Sequence, residues 1–226
     1  KTEPVKQLSM DDVQRDLAWQ HGMIIFNGEP LGEALQEVSR YTATRFELTD
    51  PDLTSLKVAG VFKAYTTRVG AGPFPTELLD DVGEKIRTIG KEIGTTTGRA
   101  RRVGWFDGVA GRYSAKVNGF DTLIITKLDI LDGFDTVKVC VAYEIDGERT
   151  ENFPIDSSLL ARSKPIYEEL PGWSGSTAGI TRPEDIPANA MTYIRFIEDI
   201  LGVKASIISS GPRREETVVL KDIIPR

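Results

Sequence analysis

Thr122-Leu123-Ile124-Ile125-Thr126-Lys127-Leu128-Asp129 is the stretch that decides how the larger part of this chain folds. Its first five residues form a short apolar run with threonine at each end, which predicts a buried β-strand. A lysine and then a carboxylate follow directly where that strand ends. The sequence thus places polar side chains directly at the end of a buried strand.

A carboxylate in this position has a particular chemical capability. The side chain of Asp129 can accept hydrogen bonds from both the N1–H and the exocyclic amine of guanine, and adenine lacks this pair of donors. The stem of Lys127 can lie over the face of the base. The pattern therefore indicates a guanine-binding turn. The alternative is a solvated polar turn, because a pattern of only four residues often matches by chance.

A second polar cluster lies upstream, in Thr95-Thr96-Thr97-Gly98-Arg99-Ala100-Arg101-Arg102. Guanidinium groups match carboxylate and phosphate oxygens two at a time, and threonine hydroxyls add short donors. Gly98 lets the backbone turn through a conformation that other residues resist. The cluster favours an anion-binding loop. The alternative is a polar connection whose arginines face water.

Composition and charge narrow the class of protein. The chain has 226 residues, a net charge of −6 and 40% hydrophobic residues, which is typical of a globular protein and argues against a nucleic-acid partner. No apolar run approaches the roughly 20 residues that span a bilayer, so no membrane partner is expected. The single cysteine, Cys140, indicates a reducing compartment, and we expect a cytoplasmic protein. His21 has no cluster of ligands at metal-binding spacing near it, so no metal site is predicted.

Residues 63–226 alternate between helical and strand patterns. Thr76 is predicted to cap a helix whose buried stripe is Leu78, Leu79, Val82, Ile86 and Ile89. A second helix runs through Val109, Tyr113 and Val117. A strand is predicted through Val137, Val139 and Val141, followed by a hairpin at Asp146-Gly147 that returns over residues 151–154. An irregular connection is predicted over residues 165–173. The last predicted elements are a helix from Pro187 to Gly202 and strands at 205–208 and 217–220.

The first 62 residues predict a small β-α-β-β unit. Met23-Ile24-Ile25-Phe26 predicts a strand, Leu31 to Tyr41 a helix, and Phe46 to Leu48 and Leu56 to Phe62 two further strands. We therefore expect an α/β fold with two domains. Residues 63–226 would form a mixed sheet with flanking helices, and residues 1–62 would form the small module.

The module carries a resemblance. Phe26-x-Gly28-x-Pro30-Leu31, Ser39-Arg40-Tyr41, Asp50-Pro51 and Val58-x-Gly60-Val61-Phe62 resemble part of the secretin/TonB short N-terminal domain, over about residues 15–62. That domain occurs at the C-terminal end of FecR-type regulators, where it binds other proteins in the periplasm. The resemblance implies a protein-binding or signalling role as an alternative function.

The larger part resembles the adenylosuccinate synthetase family. The motifs that carry this resemblance are Lys63 to Leu78, Thr96-Thr97-Gly98-Arg99, Gly104-Trp105-x-Asp107, Thr126-Lys127-Leu128-Asp129-x-Leu131-Asp132-Gly133, Cys140-x-Ala142-Tyr143, Pro171-Gly172-Trp173 and Ser210-Gly211-Pro212. The family joins IMP and aspartate, using GTP, to make adenylosuccinate in AMP synthesis. The resemblance implies a ligase of purine biosynthesis that forms a homodimer.

It also implies roles for individual residues. The aspartate and IMP sites would be formed by Thr95, Thr96, Thr97, Gly98, Arg99, Ala100, Arg101 and Val69. The GTP site would be formed by Arg101, Lys127, Leu128, Asp129, Ser209, Ser210 and Gly211. The family also uses Mg²⁺.

One part of the family pattern is not found. The sequence contains no G-x-x-x-x-G-K-[ST] loop and no comparable glycine-rich phosphate loop. The family's catalytic residues and Mg²⁺ ligands match no position here, so no catalytic residue is assigned. We therefore expect a truncated synthetase region fused to the small module across the shared stretch at residues 58–61. It would bind ligands but have no independent turnover.

Overall fold

The computed structural model describes residues 58–94 and 98–221. The predicted module therefore lies outside the described residues, except for its last five. The strands in the described part are β1 Ala59–Lys63, β2 Thr66–Arg68, β3 Arg102–Gly104, β4 Phe106–Asp107, β5 Thr122–Thr126, β6 Thr136–Ile145, β7 Glu148–Thr150, β8 Lys164–Pro171, β9 Ala205–Ser209 and β10 Thr217–Val219. The α-helices are α1 Asp81–Ile89, α2 Gly108–Asn118, α3 Ser157–Arg162 and α4 Ala188–Leu201.

The main sheet has the strand order β1-β5-β9-β10. β1 pairs in parallel with β5, β5 pairs in parallel with β9, and β10 runs antiparallel to β9. β5 is the predicted apolar strand, and Leu123 and Ile125 within it are fully buried. Because the three parallel strands point the same way, the residues after Lys63, Thr126 and Ser209 all emerge at one edge of the sheet.

Strand β1 bears on the predicted domain boundary. It contains the last residues of the predicted module, pairs with β5 along its length, and continues through the boundary proposed between residues 62 and 63. The larger compact unit of the chain likewise begins at Ala59, and it comprises residues 59–115 and 121–226.

A second sheet is built around the long strand β6, which pairs with β4, β7 and β8. The strand through Val137 and Val139 and the hairpin at Asp146-Gly147 are confirmed, although the returning strand is Glu148–Thr150 and not residues 151–154. The irregular connection predicted over residues 165–173 is wrong, because Lys164–Pro171 forms β8 against β6. The prolines at both ends of β8 are tolerated because this strand pairs on one side only among the described residues.

Helix α1 begins later than predicted. Its N-cap is Asp80, whose carboxylate accepts a 3.0 Å hydrogen bond from the amide of Gly83, and Thr76 is buried four residues earlier. The predicted buried stripe is therefore wrong at two of its five residues: Leu79 precedes the helix and is 87% exposed, and Ile89 is 44% exposed. Only Ile86 of that stripe is fully buried.

Helix α4 packs into the core as predicted. Ile194 and Ile197 are fully buried, and Gly202 ends the helix with a φ of 71°. Tyr193 is also buried, and its hydroxyl donates a 2.6 Å hydrogen bond to the carbonyl of Ala64, just after β1. The mixed α/β fold with flanking helices is confirmed. None of the helices in the described part is long and apolar enough to cross a membrane.

Candidate functional site

Three segments of the candidate site meet at the carboxyl edge of the main sheet. Lys63 ends β1, Lys127 follows β5, and Ser210 follows β9. Their meeting is a consequence of the parallel strand pairing, and the residues are 64 to 147 positions apart in sequence. This edge is where ligands bind in open α/β sheets.

A buried carboxylate, Glu92, lies at the centre of this edge. Lys63 Nζ lies 2.9 and 3.0 Å from its two oxygens, and the hydroxyl of Tyr65 donates to it at 2.5 Å. Arg101 contributes a guanidinium contact at 2.9 Å, and Lys127 Nζ lies 3.1 Å away. Glu92 has no exposed surface. One buried anion therefore holds three cations from three separate segments.

The electrostatics of this cluster are asymmetric. Burial alone raises the pKa of the Glu92 carboxyl, but hydrogen bonds from Tyr65, Lys63, Arg101 and Lys127 together lower it to about 2. The pKa of Lys63 is also lowered, because burial penalises its charge more than Glu92 favours it. The lowered pKa of Lys63 opposes part of the stabilisation that the lowered pKa of Glu92 indicates. The Lys63–Glu92 pair therefore stabilises the fold less than the pKa of Glu92 alone indicates. The cluster keeps more positive than negative charge, which suits an anionic ligand.

Lys127 has a specific backbone conformation. It adopts a left-handed φ of 59°, which turns the chain sharply between β5 and the short 3₁₀ helix Leu128–Leu131. Its ammonium donates a 2.6 Å hydrogen bond to the carbonyl of Gly90 at the C-terminus of α1. Helix C-termini favour cations, so the head group is fixed by the helix and by Glu92 together.

Asp129 lies in the 3₁₀ helix, next to the buried Leu128. Its pKa is raised mainly because burial disfavours the charged form, and the nearby Asp132 and Glu216 carboxylates add to this effect. Its own backbone amide opposes the shift. A half-buried carboxylate next to other acidic groups is well suited to accept hydrogen bonds from a ligand.

The carboxylate of Asp132 ties a distant loop to this turn. It accepts hydrogen bonds from Trp173 Nε1 at 2.6 Å, from the amide and hydroxyl of Thr177 at 2.7 and 2.8 Å, and from the hydroxyl of Ser176 at 3.2 Å. The same loop also contacts Ser210, whose carbonyl accepts a 3.2 Å hydrogen bond from the amide of Gly179.

Ser210 and its neighbours are held close to the same turn. The hydroxyl of Ser210 donates to the Ile180 carbonyl at 2.6 Å, and the hydroxyl of Ser209 donates to the Gly211 carbonyl at 3.0 Å. Gly211 packs so closely on the Glu216 side chain that a Cβ there would clash with it. Because Glu216 also influences Asp129, the predicted guanine-binding residues share one region.

The arginine loop forms the other side of the candidate site. Ile93 and Ala100 form an antiparallel bridge, and the amide of Gly94 donates a 2.8 Å hydrogen bond to the Arg99 carbonyl, so residues 92–94 and 98–101 pair as the two arms of a hairpin. Gly98 has a φ of 64°, as its predicted turn requires. Arg99 is exposed at the hairpin end. Thr95, Thr96 and Thr97 lie outside the described residues.

The three arginines of this segment do not act together. Arg102 makes a two-pronged contact with Glu77, at 2.7 and 2.5 Å, and also donates to the Gly72 carbonyl at 2.7 Å. This contact fixes the glycine-rich loop that follows β2. The guanidinium of Arg102 is thus already bound to a carboxylate of the protein, and its place in an anion-binding loop stays a prediction. Arg101 points instead into the Glu92 cluster.

Val69 lies between β2 and that glycine-rich loop, with 74% of its surface exposed. An open cavity of 580 Å³ lies elsewhere, beside the loop that Asp132 holds. Phe134, Trp173 and Asn189 are among the residues that line it, and none of the predicted site residues does.

Sequence reasoning missed Glu92 and Tyr65. Glu92 follows the helix-ending Gly90 by two residues and belongs to no motif or periodic pattern. A single carboxylate in a loop is usually solvated, so only its burial and its partners mark it as part of the site. Asp132 belongs to the motif that begins at Thr126, but its role in holding the 173–177 segment comes from contacts more than 40 residues away.

Fold and site together define an α/β protein with a cationic cluster at the carboxyl edge of the parallel strands of its main sheet. The profile of the adenylosuccinate synthetase family matches residues 40–218. The chain belongs to the adenylosuccinate synthetase family.

Individual relatives agree with this assignment. The chain is 53% identical over 167 residues to the adenylosuccinate synthetase of Streptococcus gordonii, and 57% identical over 168 residues to that of a Synechococcus strain. Each match covers 74% of this chain but only 39% and 38% of the respective relative. A solved structure of the fully ligated adenylosuccinate synthetase from Plasmodium falciparum superposes with a TM-score of 0.72 at 36% identity, covering 77% of this chain and 42% of that one.

The comparisons also bear on the first 62 residues. The family match begins at residue 40, inside the segment assigned to the small module. The Streptococcus, Synechococcus and Plasmodium relatives are all synthetases, and none of these three is a FecR-type protein. The module and its signalling role stay predictions.

Proposed function

We propose that this chain forms the guanine-, aspartate- and IMP-binding part of an adenylosuccinate synthetase, which joins IMP and aspartate with the use of GTP. The observation that carries the proposal is the single edge at which Lys63, Lys127 and Ser210 emerge from three parallel strands. The family assignment supports this reaction, and the shared edge supports this location for the ligand sites.

Guanine would be bound by Lys127, Leu128 and Asp129 on one side and by Ser209, Ser210 and Gly211 on the other. Two features support this assignment. Asp129 is half-buried, so an unpaired carboxylate there is costly and a ligand that donates two hydrogen bonds is favoured. The Lys127 head group is fixed at Gly90 and Glu92, which orients its stem beside the turn.

Aspartate and IMP would be bound by Thr95, Thr96, Thr97, Gly98, Arg99, Ala100 and Arg101, with Val69 against the IMP ribose. The exposure of Arg99 at the hairpin end supports a role in binding a carboxylate that arrives from solvent. Arg101 would serve the GTP side from its position in the Glu92 cluster. We propose a homodimer as the assembly and the cytoplasm as the compartment.

The phosphoryl-transfer step would need groups from outside this chain. Phosphate transfer depends on backbone donors and a metal ion around the phosphates, and the sequence has no glycine-rich phosphate loop. In residues 58–94 and 98–221 no three Asp, Glu, His or Cys side chains gather as a metal site, so these residues do not fit Mg²⁺. The purified 226-residue chain should therefore bind ligands without turnover.

Calorimetric titration of the chain with GDP and ADP tests the guanine site. We expect GDP to bind and ADP to bind at least about 100-fold more weakly, since two hydrogen bonds to a charged group contribute about 1.5–3 kcal/mol each. Asp129→Ala should remove the preference. Asp135→Ala is the matched control, because Asp135 is an exposed carboxylate close in sequence that should leave GDP binding unchanged.

A variant with altered preference makes the test more specific. Asp129→Asn presents an amide that donates to the C2 carbonyl of xanthine, so it should favour xanthosine diphosphate over GDP. Equal affinity of the unaltered chain for GDP and ADP would contradict the proposed guanine site. GTP- and aspartate-dependent loss of IMP with the purified chain alone would contradict the proposed need for further residues.

A further inference from the structure

Glu92 lies between the two halves of the proposed site. Its side chain contacts Lys127, which the proposed function assigns to guanine, and Arg101, which ends the hairpin assigned to the substrates. Glu92 is fully buried and cannot touch a ligand in solvent. Its influence must therefore act through the side chains that it holds.

We infer that Glu92 is a positioning residue that couples the guanine-binding turn to the substrate hairpin, so that a guanine nucleotide bound at one stabilises the other. This inference rests on the proposed function. It assigns to the family's reaction a residue that neither binds substrate nor belongs to any of the motifs that carry the family resemblance.

Glu92 is part of the hairpin itself. Its carbonyl accepts a 2.9 Å hydrogen bond from the Arg101 amide, and the following residue, Ile93, forms the bridge with Ala100. Its own amide donates to the Arg87 carbonyl at 3.0 Å, which anchors it to the end of α1. A change in what its side chain holds is therefore transmitted directly to the backbone bonds of the hairpin.

The other end of the connection is the Lys127 ammonium. It lies 3.1 Å from the Glu92 carboxylate and 2.6 Å from the Gly90 carbonyl. A purine lying on the Lys127 stem would restrict that side chain to the conformation in which it contacts Glu92. Fixing Lys127 restricts the position of the Glu92 carboxylate, so Arg101 loses less conformational entropy when it binds the same carboxylate.

The guanidinium of Arg101 can gain contacts when a ligand binds. Its Nε is buried and has no hydrogen-bond acceptor among the described residues, although its terminal nitrogen is bound to Glu92 at 2.9 Å. Among residues 58–94 and 98–221, its side chain is therefore seen bound through one terminal nitrogen, to Glu92. Coupling requires such an element, whose engagement differs between the free and the ligand-bound protein.

Hydrogen–deuterium exchange on the full 226-residue chain, with and without saturating GDP, tests the coupling. The amides of Gly94, Gly98 and Arg101 all donate hydrogen bonds within the hairpin, so they report its stability directly. We expect GDP to slow exchange both at residues 128–132 and, by at least about fivefold, at these three amides. ADP should slow neither.

Glu92→Gln keeps the shape of the side chain and removes its charge. In this variant GDP should still slow exchange at residues 128–132 but change the hairpin amides by less than about twofold. Glu77→Gln is the matched control, because it breaks a carboxylate–arginine pair of similar geometry outside the cluster and should leave the coupling intact. Glu92→Asp, which keeps the charge but shortens the reach, replaces Glu92→Gln if that variant does not fold.

The outcomes separate the inference from the proposed function. If GDP slows exchange nowhere in the unaltered chain, both the proposed guanine site and the coupling are overturned. If GDP protects residues 128–132 and leaves the hairpin unchanged, only the coupling is overturned, and this comparison needs no variant. Hairpin protection that persists in Glu92→Gln and in Glu92→Asp also overturns it.

Discussion

Replacing Asp132 by asparagine should loosen the loop that borders the proposed guanine site. One carboxylate oxygen accepts from Trp173 Nε1 and the Thr177 hydroxyl, and the other accepts from the Thr177 amide and the Ser176 hydroxyl. An asparagine has one oxygen and one NH₂ group. Whichever way its amide is oriented, the NH₂ group faces an N–H donor that cannot rotate away, from either Trp173 or the Thr177 backbone.

The cost can be worked from these contacts. A buried donor left without an acceptor costs about 1–3 kcal/mol, and the remaining bonds lose the extra strength of a charged acceptor. We expect a total loss of about 3 kcal/mol in the free energy of unfolding. For a chain of this size that loss lowers the Tm by about 6–12 °C.

Urea unfolding followed by far-UV circular dichroism measures this change, with thermal unfolding as a second readout. Ser176→Ala is the control, since it removes only the longest of the four bonds, at 3.2 Å, and should cost less than about 1 kcal/mol. An Asp132→Asn variant within about 0.5 kcal/mol of the unaltered protein would refute the reasoning, because it would mean that the four contacts contribute no net stability.

Three further predictions concern other parts of the fold. The pKa of Glu92 falls from 4.5 to about 2 on folding, so its contribution, at most about 3 kcal/mol, should be complete above pH 4.5 and lost as the pH falls towards 2. Urea unfolding of Glu92→Gln and the unaltered chain at pH 7 and pH 3 should show the stability gap narrowing at the lower pH, and a constant gap would contradict this. Gly172→Ala should prevent stable folding, judged by soluble yield and circular dichroism, because its Cβ would overlap the Phe134 carbonyl; a variant with unchanged Tm would disprove that clash. Tyr143→Phe should cost about 1–3 kcal/mol at pH 7 by removing the 2.6 Å hydrogen bond to the buried Asp107 carboxylate. Burial raises the pKa of Asp107 in the folded state above its ordinary value of 3.8. The cost of Tyr143→Phe, measured by urea unfolding, should therefore decrease as the pH falls through that raised pKa, and it should be smallest below pH 3.8, where the carboxyl is protonated in both the folded and the unfolded state.

Local patterns predicted those elements whose side chains follow one clear period. The apolar run of β5, the alternation in β6 and the stripe of α4 each face one core, and the structure has all three. The prediction failed for β8, because its two prolines argued against a strand. Hydrogen bonding to β6 stabilises the extended conformation that the local sequence does not favour. It failed for α1 because Thr76 and Asp80 are both good caps, and only burial of Thr76 decides between them.

The sequence by itself determined the family, the apolar strand that ends before Lys127, and the residue types that the proposed guanine and carboxylate sites use. These features depend on residues that are neighbours along the chain, so a sequence pattern is enough to predict them. The tertiary structure decided which charges meet: it directed Arg101 to Glu92 and Arg102 to Glu77, and it brought Lys63 and Lys127 to one carboxylate. The physical reason is that Coulomb and hydrogen-bond energies depend on distance in space and on burial, and parallel pairing of β1 with β5 sets both only after the chain has folded.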